Sequence, residues 1–166
     1  TESNWNNWSA SLRCYVAKAT NITLDSTLYA YPISGSWNNG TGQYLDNIIN
    51  GTGASWKYSA YSGSTEWPTS AFGTLVTASW SGSDNAGGAV WFTGSNVVGG
   101  EYEGITNITS SQTFTLRSDK DLNMDVTNAI KVWHSGSTGN NTGRTDIQNQ
   151  GFILKWSDDI EFTTSS

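Results

Sequence analysis

A chain of 166 residues with a formal net charge of −6 and no basic run lacks the charge of a nucleic-acid-binding protein. It also contains no apolar stretch of the roughly 20 residues that a membrane-spanning helix needs, so we expect neither nucleic acid nor a membrane as a partner. Only 13% of the residues are charged, whereas 9 are Trp and 18 are Gly. Because aromatic residues and Thr favour strands and Gly favours turns, this composition predicts an all-β fold, in a single domain over 1–166.

Nine strands are predicted along the chain, several of them from alternating apolar and polar side chains. They are 9–19, 26–33, 55–61, 72–80, 87–92, 112–118, 121–126, 151–156 and 160–164. In the first strand Cys14 lies in phase with Leu12 and Val16, which predicts a core position for the cysteine. Many strands without helices between them are typical of an antiparallel β-sandwich, and we expect a jelly-roll-like one.

One segment breaks the strand pattern and predicts a short helix near 127–134. Ala129, Ile130 and Trp133 recur at intervals of three and four residues, which is the period of a helix. Asp125 or Thr127 can cap its first N–H groups, and Gly136 can end it. We expect Trp133 to cover the core at an open end of the sandwich, in preference to binding a ligand.

Four segments, at 11–44, 56–67, 121–136 and 149–166, resemble the DNRLRE-type β-sandwich family. The similar features are a strand ending in "SW" before a turn, a "DVT" before a Trp-bearing helix, and a "GFILK" strand. Variants similar to this chain are virion structural proteins of tailed phages, particularly marine and cyanobacterial ones. The resemblance implies a β-sandwich and a virion location. The motif that names the family is absent, so no functional residue is carried over from it.

The family pattern has a further strand before Ser11 and another after 160–164. This resemblance implies that the chain is a segment of a longer protein. It also implies that another chain, or residues outside the segment, complete its first and last sheet edges. We expect defined oligomers for the same reason, because unpaired strand edges invite pairing with a neighbour.

The sequence contains little that suggests catalysis or a cofactor. His134 is the only histidine, and there is neither a Gly-x-Ser-x-Gly turn nor a Cys/His cluster. We therefore expect a protein that is not an enzyme. One set of residues has the spacing of a calcium loop, namely Asp119, Asp121, Asn123 and Asp125. The Gly of such a loop is missing, and in a strand these side chains lie about 6.6–6.8 Å apart, so we favour a solvated strand face over structural calcium.

Tryptophans beside Asn, Gly and Ser are the main candidates for a binding surface. They are Trp5, Trp8, Trp37, Trp56 and Trp67. Flat aromatic rings in such surroundings stack on sugars and also form protein interfaces. Our first hypothesis is a non-enzymatic structural protein of a tailed-phage virion, a capsid decoration, tail or fibre component. Its partners would be other virion proteins and copies of itself. The alternative is a carbohydrate-binding module of an extracellular or cell-surface protein, which would bind a cell-surface glycan.

Overall fold

The computed structural model describes residues 8–18, 25–33, 35–40, 52–55, 58–60, 65–67, 76–78, 90–92, 105, 107–115, 121–138 and 148–156. These residues form strands in antiparallel sheets and one short helix, as the all-β prediction requires. The strands are β1 (Ser11–Cys14), β2 (Ser26–Pro32), β3 (Tyr58–Ala60), β4 (Thr65–Glu66), β5 (Val76–Ala78), β6 (Val90–Phe92), β7 (Ser110–Phe114), β8 (Leu122–Asp125) and β9 (Phe152–Trp156). The helix is α1 (Thr127–Thr138). The strand predicted at 160–164 lies outside the described residues.

β2 is the centre of a three-stranded sheet with the order β7-β2-β9. Its register places Tyr29 between Ser111 of β7 and Lys155 of β9. The other described pairs are β1 with β8, β3 with β4, and β5 with β6. Successive side chains of a strand point to opposite faces, so Leu28 and Ala30 lie on one face of the central sheet and Tyr29 on the other.

The two faces of this sheet carry different hydrophobic clusters. On the first face, residues of β2, β7 and β8, with the residue that follows β8, form a buried cluster that consists of Ala30, Phe114, Leu122, Met124 and Val126. Partly buried Phe152 and Ile130 join this cluster to a second one beneath α1, made of Ile108, Ala129, Val132 and Trp133. On the opposite face, Ile33, Trp67 and Trp91 form a third cluster against Tyr31 and Ile153.

The side-chain amide of Gln112 connects β7 to β8. Its Nε2 donates to the carbonyl of Asp121 at 2.9 Å, and its Oε1 accepts from the backbone N–H of Asn123 at 2.7 Å. The amide therefore offers β8 one donor and one acceptor, as a neighbouring strand would. β8 is thus held on one edge by β1 and on the other by this glutamine.

The helix begins where it was predicted to begin and extends further than expected. The N–H of Ile130 donates to the carbonyl of Val126 at 3.1 Å, and the carboxylate of Asp125 accepts from the N–H of Thr127 at 2.9 Å. Capping by Asp125 is confirmed, but Gly136 lies inside the 12-residue helix, so the prediction that it ends the helix is wrong. An interior glycine costs a helix only about 1 kcal/mol, and burial of the apolar side of α1 outweighs that cost.

The predicted core position of Cys14 is wrong, because the residue is exposed. Leu12, on the same side of β1, is partly buried against the first-face cluster, whereas Val16 is 43% exposed. Alternation places these residues on one face of the strand, but the cluster beneath them covers only the part of that face nearest Leu12.

Candidate functional site

The five candidate tryptophans have different environments. Trp8 and Trp37 are 47% and 42% exposed, so both rings are accessible to a partner. Trp5 and Trp56 lie outside the described residues. Trp67 is only 7% exposed, so the prediction that its ring is accessible to a partner is wrong.

Trp67 is buried because its ring is part of the third cluster, with Ile33 and Trp91. Its indole N–H donates to the carbonyl of Ser55 at 2.8 Å. A buried indole normally has such a hydrogen-bond partner, so the ring can lie in the core without an unpaired donor. Polar neighbours in the sequence thus do not keep this tryptophan at the surface.

Trp37 lies in a loop region with several hydrogen bonds, here called the Trp37 platform and defined as residues 36–40 and 52–55. The indole N–H donates to the carbonyl of Gln150 at 2.6 Å, which orients an exposed ring. The backbone N–H of Asn38 donates to the carbonyl of Ser59 at 2.9 Å. The carbonyl of Asn38 accepts from the N–H of Ala54 at 2.7 Å. These bonds tie the two parts of the platform to each other and to β3.

Gly40 is required for this arrangement. Its φ of 73° is left-handed, and a Cβ at this position would collide with the backbone of Gly53. Its N–H donates to the side-chain carbonyl of Asn38 at 2.6 Å, which closes a local turn. The "NNG" sequence therefore permits the close approach of the two loops beside Trp37.

Trp8 contacts the helix. Its ring centroid lies 5.6 Å from that of His134, with 32° between the ring planes. His134 is half-buried, whereas Trp8 is 47% exposed. His134 therefore packs against an aromatic ring.

Two residues of the predicted acidic row, Asn123 and Asp125, lie on β8. Asn123 and Asp125 are exposed, and they alternate with buried Leu122 and Met124. Asp121 accepts from the N–H of Val16 at 3.0 Å, and Asn123 accepts from Nε of Arg13 at 3.3 Å, while Asp119 lies outside the described residues. The described part of the chain contains no group of three His, Cys, Asp or Glu residues that could hold a metal ion. It also contains no helix that is long and apolar enough to cross a membrane.

The carboxyl of Asp125, the last residue of β8, has a lowered pKa. The side-chain hydroxyl and the backbone N–H of Thr127, together with the charge of Lys131, lower the pKa of its carboxyl below the ordinary value of 3.8. A carboxylate at the start of a helix also compensates the free N–H groups there. The function of Asp125 in this structure is therefore to begin α1.

Replacing Asp125 by Ala should lower the free energy of unfolding by about 1 kcal/mol at neutral pH. A carboxyl with a lowered folded-state pKa stabilises the fold above its ordinary pKa, and this stabilisation is lost as the pH falls through the lowered value. Urea denaturation of both proteins at decreasing pH should therefore show the difference shrinking below pH 3.8. Asn123→Ala is the matched control, because it removes an exposed amide from the same strand and should give a difference independent of pH. If the loss of unfolding free energy in Asp125→Ala did not change with pH, the stabilising role of the Asp125 charge would be contradicted.

An aromatic group that we did not single out lies on the second face of the central sheet. The rings of Tyr29 and Tyr31 stack, with 5.5 Å between their centroids and 16° between their planes. The centroid of the Trp91 ring lies 6.0 Å from that of Tyr31. The ammonium of Lys155, which is 4% exposed, lies 5.3 Å from the centre of the Trp91 ring. This geometry is a cation–π interaction in a desolvated position. The alternation of Tyr29 and Tyr31 was visible in the sequence, but nothing in it indicated that Trp91 and Lys155 lie beside them.

The outer edge of β1 is the second surface with binding potential. The carbonyl of Ala10 accepts from the N–H of Val126 at 2.9 Å, so Ala10, Leu12 and Cys14 direct their backbone groups towards β8. Ser11 and Arg13 consequently direct theirs away from β8. In the described part of the chain, no strand pairs with this outer edge. Tyr15, the next residue of the same phase, is 83% exposed.

Comparisons of the chain with protein-family models, with curated proteins and with solved structures found no match. The geometry of these surfaces is therefore the basis for a functional proposal, together with the resemblance noted in the sequence.

Proposed function

We propose that this protein is a non-enzymatic structural component of a tailed-phage virion that acts through protein–protein assembly. In this proposal it decorates the capsid or belongs to the tail or a fibre, where it contacts other virion proteins and copies of itself. The observation that carries the proposal is the outer edge of β1, with which no strand in the described part of the chain pairs. Cys14 in this strand and the following Tyr15 and Val16 are exposed. Natural proteins usually protect or cover such edges, so this edge suits a subunit that is completed by its neighbours.

The proposal also includes the finer architecture, a jelly-roll-like sandwich. The first-face cluster supports it, because residues of β8 are buried together with residues of β2 and β7. The amide bridge from Gln112 also supports it, because it joins β7 of the central sheet to β8, which pairs with β1. The resemblance to DNRLRE-type proteins supports the same architecture at the sequence level.

The decisive experiment looks for the chain in virus particles. Phage particles from the source of this sequence are purified on a density gradient, and their proteins are identified and counted by mass spectrometry. We expect this chain, or a longer protein that contains it, at a defined copy number per particle. Its absence from particles that contain the other structural proteins would overturn the proposal.

A second candidate function, binding of a cell-surface glycan, is favoured by the Trp37 platform. The ring is exposed and held by the hydrogen bond to Gln150, and the amide of Asn39 beside it is exposed. An oriented aromatic face next to amide groups is suited to stacking on the apolar face of a sugar ring. A protein of this kind would be a carbohydrate-binding module at an extracellular or cell-surface location.

Trp37→Ala distinguishes the two candidates. If the platform binds glycan, binding to a glycan array or to host-cell polysaccharide should fall at least about tenfold in the variant, a loss of roughly 1.4 kcal/mol. Tyr15→Ala, which removes an exposed ring outside the platform, is the matched control and should bind as the unchanged protein does. Absence of glycan binding by the unchanged protein, with the chain present in particles, would leave the assembly function alone.

A further inference from the structure

The outer edge of β1 carries both backbone groups and side chains that match a second copy of the same edge. The N–H and C=O groups of Ser11 and Arg13 point outward, and none of them has a described hydrogen-bond partner. The N–H of Val16 donates to Asp121 on the β8 side at 3.0 Å. This bond continues the strand phase past Cys14, so Tyr15 also directs its backbone outward.

We propose that this edge pairs with the same edge of a second copy of the chain, antiparallel, across a two-fold axis at Cys14. The inference rests on the proposed function, because it names one contact of the proposed assembly. An interface of this type is self-complementary, since the same segment contributes both sides. Each β1 would then lie between its own β8 and the partner's β1.

The side chains select this register. With the axis at Cys14, Arg13 lies opposite the partner's Tyr15, which places a guanidinium beside an aromatic ring. Leu12 lies opposite the partner's Val16, so the 43% exposed valine is covered by another apolar side chain. An axis at Arg13 would place two guanidinium groups opposite each other, which is destabilising. An axis at Tyr15 would place Leu12 opposite the partner's Lys18.

Cys14 makes the register measurable. Its backbone points towards β8, so it would face the partner's Cys14 as a pair without hydrogen bonds between the two residues. The Cα atoms of such a pair are about 4.5 Å apart, which a disulfide can bridge. The thiol is exposed and there is no other cysteine in the chain. The thiol serves here as a probe of the contact, and the proposed pairing does not require its oxidation.

The test begins with sedimentation of the purified 166-residue chain, which should show a dimer. Mild oxidation with copper phenanthroline should then give a covalent dimer of twice the 17.9 kDa monomer mass on a non-reducing gel. In a Cys14→Ser, Tyr15→Cys double variant the two thiols would lie diagonally, more than about 7 Å apart at Cα, so cross-linking should be at least about tenfold slower. Equal rates in the two proteins would indicate random collision and would overturn the proposal.

A proline variant tests the backbone pairing without using the thiol. Tyr15→Pro removes the outward N–H, which β8 does not use, so the dimer should be lost while the melting temperature of the monomer stays the same. Tyr15→Phe is the matched control, because it keeps both the N–H and the ring and should keep the dimer. A dimer that persists in Tyr15→Pro, or an unchanged chain that sediments as a monomer, would also overturn the inference.

The outcomes separate this inference from the proposed function. A chain that is monomeric in solution but present in purified particles would contradict the β1 pairing and would leave the proposed virion function standing. If the chain forms a dimer with the expected cross-link but is absent from particles, the virion function would be contradicted and the β1 pairing would be supported.

Discussion

Replacing Trp133 by Ala should lower the free energy of unfolding by about 3–5 kcal/mol, which is the usual cost of removing a large buried aromatic side chain. Trp133 is 7% exposed and lies against Ala129 and Val132 of its own helix. Its ring centroid lies 4.9 Å from that of Phe152, so the same side chain also holds α1 on β9. Removing it would leave a cavity at this junction.

Urea denaturation of both proteins measures the difference, and two further variants locate its cause. The indole N–H of Trp133 is buried with no hydrogen-bond partner in the described structure. Trp133→Phe should therefore lose packing volume but no hydrogen bond, and should cost about 1–2 kcal/mol. Trp8→Ala, at an exposed ring that contacts the same helix, should cost under about 1 kcal/mol. Equal costs for Trp133→Ala and Trp8→Ala would contradict the core position of Trp133.

Replacing Trp91 by Ala should also cost about 3–5 kcal/mol. The ring is 3% exposed and packs with Ile33 and Trp67 in the third cluster. It also lies beneath the ammonium of Lys155, so its removal takes a favourable electrostatic partner away from a buried charge. Trp37→Ala is the matched control, because that tryptophan is 42% exposed, and it should cost under about 1.5 kcal/mol.

A double-mutant cycle separates the cation–π contribution from packing. Lys155→Met keeps the length and apolar stem of the side chain but removes its charge. Combined with Trp91→Ala, it should give a coupling energy of about 0.5–2 kcal/mol, because the two groups interact directly. If the unfolding free-energy changes of the two single variants add up to that of the double variant within about 0.3 kcal/mol, the interaction between the ammonium and the ring contributes no measurable stability.

The local periodicity of the sequence was sufficient for the main elements around the first-face cluster. Alternation predicted strands at 26–33 and 121–126, and a strand was also predicted at 151–156; the structure has them as β2, β8 and β9. The change from a period of two to one of three and four predicted α1 and the inward position of Trp133. These predictions succeed because a strand or a helix face is determined by residues that are close together in the chain.

The glutamine bridge and the aromatic group around Lys155 depend on tertiary contacts. Gln112 could be placed on a strand, but the hydrogen bonds of its amide to β8 depend on how two sheets meet. Tyr31, Trp91 and Lys155 come from three distant parts of the chain, and only the pairing of β2 with β9 and the position of β6 bring them together.

The sequence by itself determined which residues share a face of each element. The tertiary structure alone decided which of those faces are covered. Cys14 and Trp67 illustrate this difference. Cys14 lies in phase with apolar residues and is exposed, whereas Trp67 lies among polar neighbours in the sequence and is buried. The physical reason is that burial depends on how far the opposing layer extends, and that layer is built from residues many positions away. Local pattern can therefore predict the strand and its inward side, whereas only the packed layers decide which aromatic rings are left for a partner.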